Sequence, residues 1–243
     1  MLEKLYIKML MLVVSLIDSG NKKKIISYFK NFCKDNSITI LDIGTHKGET
    51  IDFFIKYFNV KKIYCCEPNI KIFSNLKNKK KYKKNNIQLF NLALGDKNEK
   101  KELNILKDSS SSTLNNIDIK TKYFERKKKI ISLFSKSKQY FIEKQNIQIC
   151  KTSDFIDDNR INNIEILKID TEGYEFNVLK GIEDDQYKLI KFIYFEHHYD
   201  LMLKKKYKFK DINYLLEEKG FKKCFKLKMK FRKTFEYIYK NEK

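Results

Sequence analysis

The chain has 243 residues, 42% of them hydrophobic and 14% aromatic, which is enough for one well-formed core and too apolar for wholesale disorder. Its formal net charge is +21, yet all but three of its 52 basic residues are lysine, the exceptions being Arg126, Arg160 and Arg232. Phosphate and base recognition favour arginine's planar fork, so the excess reads as solvated lysine faces such as "KNKKKYKKNN" at 77–86, and nucleic acid is not the expected partner.

At the N-terminus the apolar stretch from Met9 to Ile17 resembles a signal-peptide core, but Glu3 and Lys8 interrupt it, no small-residue cleavage site follows, and it is too short to span a bilayer. Residues 1–37 are expected to form a helical extension packed on the domain, with peripheral membrane contact through this segment as the alternative. Five cysteines, Cys33, Cys65, Cys66, Cys150 and Cys224, are odd in number and include an adjacent pair. They read as reduced thiols of a cytoplasmic protein, and no Cys/His spacing suggests zinc.

From residue 38 the pattern is regular. "ITILDIG" is a short β-branched run, and "ETIDFFIKYF" after it carries apolar residues at helical spacing. "KKIYCCEPN", "IKIFSNLKN" and "IQLFNLAL" continue as strand, helix and strand, the signature of βαβ units in a parallel sheet. Residues 97–149 break this rhythm. "KKELNILK" suits a strand, "DSSSSTLNN" a polar loop, and "YFERKKKIISLFSKSKQYFIEK" one or two helices, so a helical insertion is expected at about 114–145. The rhythm then resumes with Ile164–Ile169 as a central strand, a helix over Glu175–Gly181, "LIKFIYFEHH" as a further strand, a helix near Asp211–Lys219 and two alternating segments that suit an antiparallel C-terminal hairpin.

In a parallel sheet ligands gather beyond the carboxyl ends of the strands, where strand order reverses. After the first strand comes Asp42-Ile43-Gly44-Thr45-His46-Lys47-Gly48, whose glycines allow close approach of the backbone to a ligand. The spacing is GxxxG and does not match the GxGxxG of nicotinamide or flavin sites. The second strand ends in Glu67, about 20 residues on, where a carboxylate can accept both hydroxyls of a ribose. Asp170 and Glu172 follow the fourth strand, and His197 and His198 end the fifth; adjacent strand residues point to opposite faces, so at most one of this pair faces the site.

"ILDIGTHKGET", "CEPN", "NLALGD", "LKIDTEGYEFNVLKG" and "FEHH", in this order, resemble the FkbM family of S-adenosylmethionine-dependent methyltransferases over residues 38 to about 200. The resemblance implies an α/β, Rossmann-like class I methyltransferase domain at 38–243, with a seven-stranded mostly parallel sheet and an antiparallel C-terminal hairpin. It implies S-adenosylmethionine as cofactor and O-methylation of a hydroxyl on a sugar, glycan or other small molecule. Carried over by position, Asp42, Gly44 and Gly48 match the cofactor turn, Glu67 the ribose-binding acid, Asn91 and Ala93 the adenine wall, and Asp170 the place where the methyl group is transferred. His46 and Lys47 depart from the small or polar residues usual in such turns, and residues 114–145 carry no motif that aligns.

An alcohol needs a base near its proton, and Asp170, Glu172 and His197 are the candidates by position. Glu172 is equally suited to cap the following helix, and Glu175 reads as helix surface. Asp170, Glu196 and His197 could instead hold a divalent cation, which is not the expected arrangement. Ser109 to Thr113 has linker composition, with a substrate- or cofactor-facing loop as the alternative. Two rival functions stay open: an RNA methyltransferase, marked by strong salt dependence, and a non-catalytic binding module that retains the fold.

Overall fold

The computed structural model describes residues 6, 9, 19–33, 36–106, 111–131, 141–230 and 232–243. The expectations for the apolar run after Met9, for Ser109 and Ser110 and for 132–140 lie outside them. Ten strands and seven α-helices are described: α1 Ser19–Cys33, β1 Ile38–Ile43, α2 Glu49–Tyr57, β2 Val60–Cys66, α3 Ile70–Asn78, β3 Ile87–Phe90, β4 Ala93–Gly95, β5 Glu99–Leu106, α4 Lys122–Ile131, β6 Phe141–Lys151, α5 Thr152–Asp158, β7 Ile164–Ile169, α6 Glu175–Lys180, β8 Ile190–His198, α7 Phe209–Glu218, β9 Phe221–Lys228 and β10 Thr234–Asn241.

Seven strands form one sheet in the order β3-β2-β1-β7-β8-β10-β9. The pairs from β3 through β8 are parallel, and β10 runs antiparallel to both β8 and β9. The expected sheet and C-terminal hairpin are both present. The central strands are buried on both faces because helices cover both sides. On one face Ile25 and Phe29 of α1, Ile51 and Phe54 of α2 and Ile72 of α3 pack on Ile40, Ile63, Ile166 and Phe192. Ile25, Phe29 and Cys33 recur every four residues, which aligns them as the buried stripe of α1. On the opposite face Val178 of α6 and Ile212 and Leu216 of α7 pack on Leu41, Leu167 and Ile193.

The third apolar run divides between two sheets. Ile87–Phe90 extends the main sheet beside β2, whereas Ala93–Gly95 leaves it and pairs with β6 in a three-stranded sheet of order β4-β6-β5. The insertion is therefore only partly helical: α4 covers Lys122–Ile131, but Phe141–Lys144, expected as helix, begin β6 and pair with β5. An apolar face of the small sheet (Leu103, Ile105, Ile147, Ile149) joins the main core, and that burial outweighs the local helical spacing. Among the described residues no helix is long and apolar enough to cross a membrane.

Candidate active site

Strand order reverses at β1. The chain steps outward to β2 and β3 on one side and later to β7 and β8 on the other, so a crevice opens beyond the carboxyl ends of β1 and β7. The two strand ends are joined by the Asp170 amide, which donates to the Ile43 carbonyl at 2.9 Å. Gly44 has φ +88°, and a Cβ on it would overlap the Asp170 carbonyl oxygen, so only glycine lets the two strand ends approach this closely.

A cavity of about 500 Å³ occupies the crevice. Gly44, Glu67 and Ala93 line it on the β2 side, and Lys168, Asp170, Glu172, Tyr194, Glu196 and Glu236 line it toward β8 and β10. Both oxygens of Glu67 are held: Oε2 accepts from the His46 amide and Oε1 from the Asn69 amide, each at 2.8 Å. These bonds fix the carboxylate while leaving lone pairs toward the cavity.

Four of the expected residues stand outside the cavity wall. Asp42 is fully buried beneath it, neither carboxyl oxygen having a hydrogen-bond partner among the described residues, and burial pushes its pKa up to about 7. Gly48, φ +92°, caps α2 and makes room for the Tyr82 ring, whose hydroxyl donates to the Gly48 carbonyl at 3.1 Å. Asn91 is a brace, its Nδ2 donating to the Glu67 and Pro68 carbonyls at 2.9 and 3.1 Å. His197 points to the other face of β8, with its ring against Tyr199, Tyr207 and Phe209; burial lowers its pKa to about 3 and leaves it a neutral core residue.

His198 takes the place expected for His197. Its Nε2 lies 3.2 Å from Glu172 and 3.5 Å from Glu196, and its Nδ1 lies 3.5 Å from Asp200. Burial acts to lower its pKa, but Glu172, Asp200 and Glu196 prevail and push it up to about 10, so it is an imidazolium at neutral pH. Glu196 is raised to about 8, chiefly by burial and then by the Asp170 charge. Asp170 opens toward the cavity, its side chain 35% exposed. Burial would raise it too, but Lys168, with Nζ at 3.1 Å, holds it below the usual carboxylate range.

The turn carrying these acids is strained. Glu172 has φ +51° and Gly173 φ +95°, a left-handed pair that the surroundings must enforce. Thr113 Oγ1 donates to the Glu172 carbonyl at 2.6 Å and Asn115 Nδ2 to the Gly173 carbonyl at 2.7 Å. From below, Glu175 Oε1 accepts from the Gly173 amide at 2.8 Å and from the Thr171 hydroxyl at 3.1 Å, while its Oε2 accepts from Tyr207 at 2.5 Å. Glu175 is thus fully buried at the base of the turn, where a helix-surface residue was expected, because these three donors replace its water. Glu172 does not cap α6, whose first-turn acid is Glu175.

Lys168, Glu236 and Arg232 also line the cavity and are not among the residues expected from the sequence. Lys168 is two residues before Asp170 and so on the same strand face, a signal that was available. Glu236 and Arg232 reach the cavity only because β10 inserts beside β8, which no local pattern shows. The described residues contain no group of three or more His, Cys, Asp or Glu side chains placed to hold a metal.

This strand order, with a glycine turn and an acid at its switch point, is the class I methyltransferase fold. Residues 42–223 match the model of the family described as the methyltransferase FkbM domain, and the chain belongs to that family. The structure of Methyltransferase FkbM from Methylobacillus flagellatus KT superposes with TM-score 0.51 and 16% identity, covering 84% of this chain but 44% of that one. Magnesium protoporphyrin IX methyltransferase (ChlM) from Synechocystis PCC 6803, solved with S-adenosylhomocysteine, gives TM-score 0.52 and 7% identity, with 94% and 85% of the two chains covered. At these identities the likeness is one of fold. Among curated proteins none matches the sequence.

Proposed function

We propose that the protein transfers a methyl group from S-adenosylmethionine to a hydroxyl oxygen of a sugar, glycan or other small molecule. The observation that carries this is the meeting, in one cavity at the switch point, of a backbone-fixed Glu67 and an ionised Asp170. The wall chemistry suits the cofactor: carboxylates for hydroxyls and a cation, and Ala93, Leu94 and Pro68 as a small apolar surface for a flat ring.

When bound, S-adenosylmethionine supplies an electrophilic methyl group on a positively charged sulfur. Glu67 would hold the ribose hydroxyls, and Gly44 would let the β1 turn lie close against the ligand. Asp170 would set negative charge beside the cofactor's cationic centre and would help to align the acceptor oxygen. Glu172 accepts the hydroxyl proton, kept oriented by the His198 cation at 3.2 Å. The remaining predicted residues act at one remove: Asn91 braces the Glu67 loop, Gly48 docks Tyr82, and Asp42 lies under the floor.

Isotope-labelled S-adenosylmethionine, incubated with the protein and a panel of sugars, nucleotide sugars, glycans, lipids and RNA, should label a hydroxyl-bearing small molecule or glycan. Labelling of RNA alone, with steep salt dependence, would contradict the small-molecule acceptor.

A further inference from the structure

One charged group at the cavity floor has no part in the reaction as drawn. Lys168 is on the central strand β7 with its side chain only 6% exposed, and its Nζ lies 3.1 Å from Asp170 Oδ2 and 5.0 Å above the Tyr194 ring. Its register partners are Asp42 on β1 and Tyr194 on β8. Strand alternation puts Asp42, Asp170 and Glu196 on its face, and β10 adds Glu236, the register partner of Glu196. Glu236 is itself held by the Tyr194 hydroxyl.

A lysine buried this deeply without acids around it gives up its proton. Here burial is outweighed by Asp170, Glu196, Asp42 and Glu236, and the ammonium stays charged. The converse also holds: four carboxyl groups crowded on one buried face need a cation or must take up protons. Arg232 from the β9–β10 turn and Lys22 from α1 reach the same cavity, as does Glu49 from α2, while Glu172 and His198 pair with one another. Lys168 is in direct contact with Asp170, its Nζ 3.1 Å from Oδ2.

We propose that Lys168 is a positioning residue: its ammonium serves as the resident cation of this carboxylate cluster and fixes the charge and orientation of Asp170 at the cavity floor. It rests on the methyl-transfer reading only for what Asp170 faces. Methyl transfer then requires no added divalent ion, and Lys168 affects turnover through Asp170 without touching the acceptor.

The sign of the pH effect follows from linkage. With Lys168 present, Asp170 lies below the ordinary carboxylate range, so the stability it contributes is present above that range and lost on acidification. Without Lys168, only the more weakly acting His198 and Arg232 oppose burial at Asp170, so its carboxyl is expected to shift upward toward the raised Asp42, Glu196 and Glu236; the native state then binds extra protons, and stability falls as pH rises.

Thermal unfolding of the full chain between about pH 4 and pH 8 is the test, on wild type, Lys168→Met and Lys168→Arg. The gap between Lys168→Met and the wild type should be smallest at the acid end and widen steadily toward the alkaline end. Lys168→Arg should follow the wild-type profile, and turnover of Lys168→Met should fall roughly 10²-fold. A gap of equal size at every pH would overturn the proposal, because the lysine would then act through packing alone. Loss of wild-type turnover on chelation, restored by Mg²⁺, would overturn it too. If the wild type methylates nothing, the transfer reading fails, while the pH-resolved unfolding still decides the role of Lys168.

Discussion

His197 and His198 follow one another on β8 and occupy different chemical worlds. Alternation along the strand puts His197 among Tyr199, Tyr207 and Phe209, with Nδ1 buried and without a hydrogen-bond partner among the described residues, and puts His198 between carboxylates. Replacing His197 with Phe removes the buried orphan nitrogen and keeps the ring, so His197→Phe should leave stability within about 1 kcal/mol of wild type and turnover intact. His198→Phe strands buried acids without their cation and should cost about 3–5 kcal/mol. Paired denaturant titrations check both, and equal losses for the two variants would contradict this assignment. The sequence shows that only one of the pair can face the site; which one depends on the register of β8 against β7 and β10, and register is a property of the assembled sheet.

At the scale of elements, the turn between β7 and α6 joins the core to the chemistry. The residues from Asp170 to Glu175 announce themselves in the sequence as two acids before a glycine, but the roles they take are set by neighbours remote in the chain. Thr113 and Asn115 hold the turn from the insertion side, and Tyr207 completes the Glu175 hub from the segment before α7. A carboxylate in the first turn of a predicted helix looks solvent-facing because its three donors cannot be seen from the spacing. Glu175→Ala leaves the Tyr207 hydroxyl and the Gly173 amide without an acceptor, and should destabilise the fold by about 2–4 kcal/mol in a urea titration. It should also lower turnover more than Tyr207→Phe, which removes one donor and leaves the turn amide paired. A Glu175→Ala variant as stable as wild type would show that the turn is held from the insertion side alone.

On the scale of the whole molecule, the βα rhythm from residue 38 gives the parallel half of the sheet directly, since the runs of β1 and β7 are apolar enough to be buried on both faces. The small sheet was not legible, because β6 is separated from β5 by more than thirty residues and its first residues have helical spacing. The candidate site divides along the same line. Gly44, Glu67, Ala93, Asp170 and Glu172 follow strands in chain order and line the cavity, whereas Lys168, Glu236 and Arg232 reach its wall, and His198 reaches Glu172, through strand parity and the insertion of β10. The charge of +21 is spread over lysines, while the cavity gathers acids, so the surface and the site follow different electrostatic rules. The central claim is that this acid-lined cavity holds S-adenosylmethionine through Glu67, and isothermal titration calorimetry with S-adenosylhomocysteine on wild type and Glu67→Ala tests it most directly. Saturable heat for the wild type and affinity weakened at least roughly tenfold in Glu67→Ala, about 1.4 kcal/mol, is the predicted result; no heat from the wild type at millimolar ligand, or equal affinity in both proteins, would contradict it.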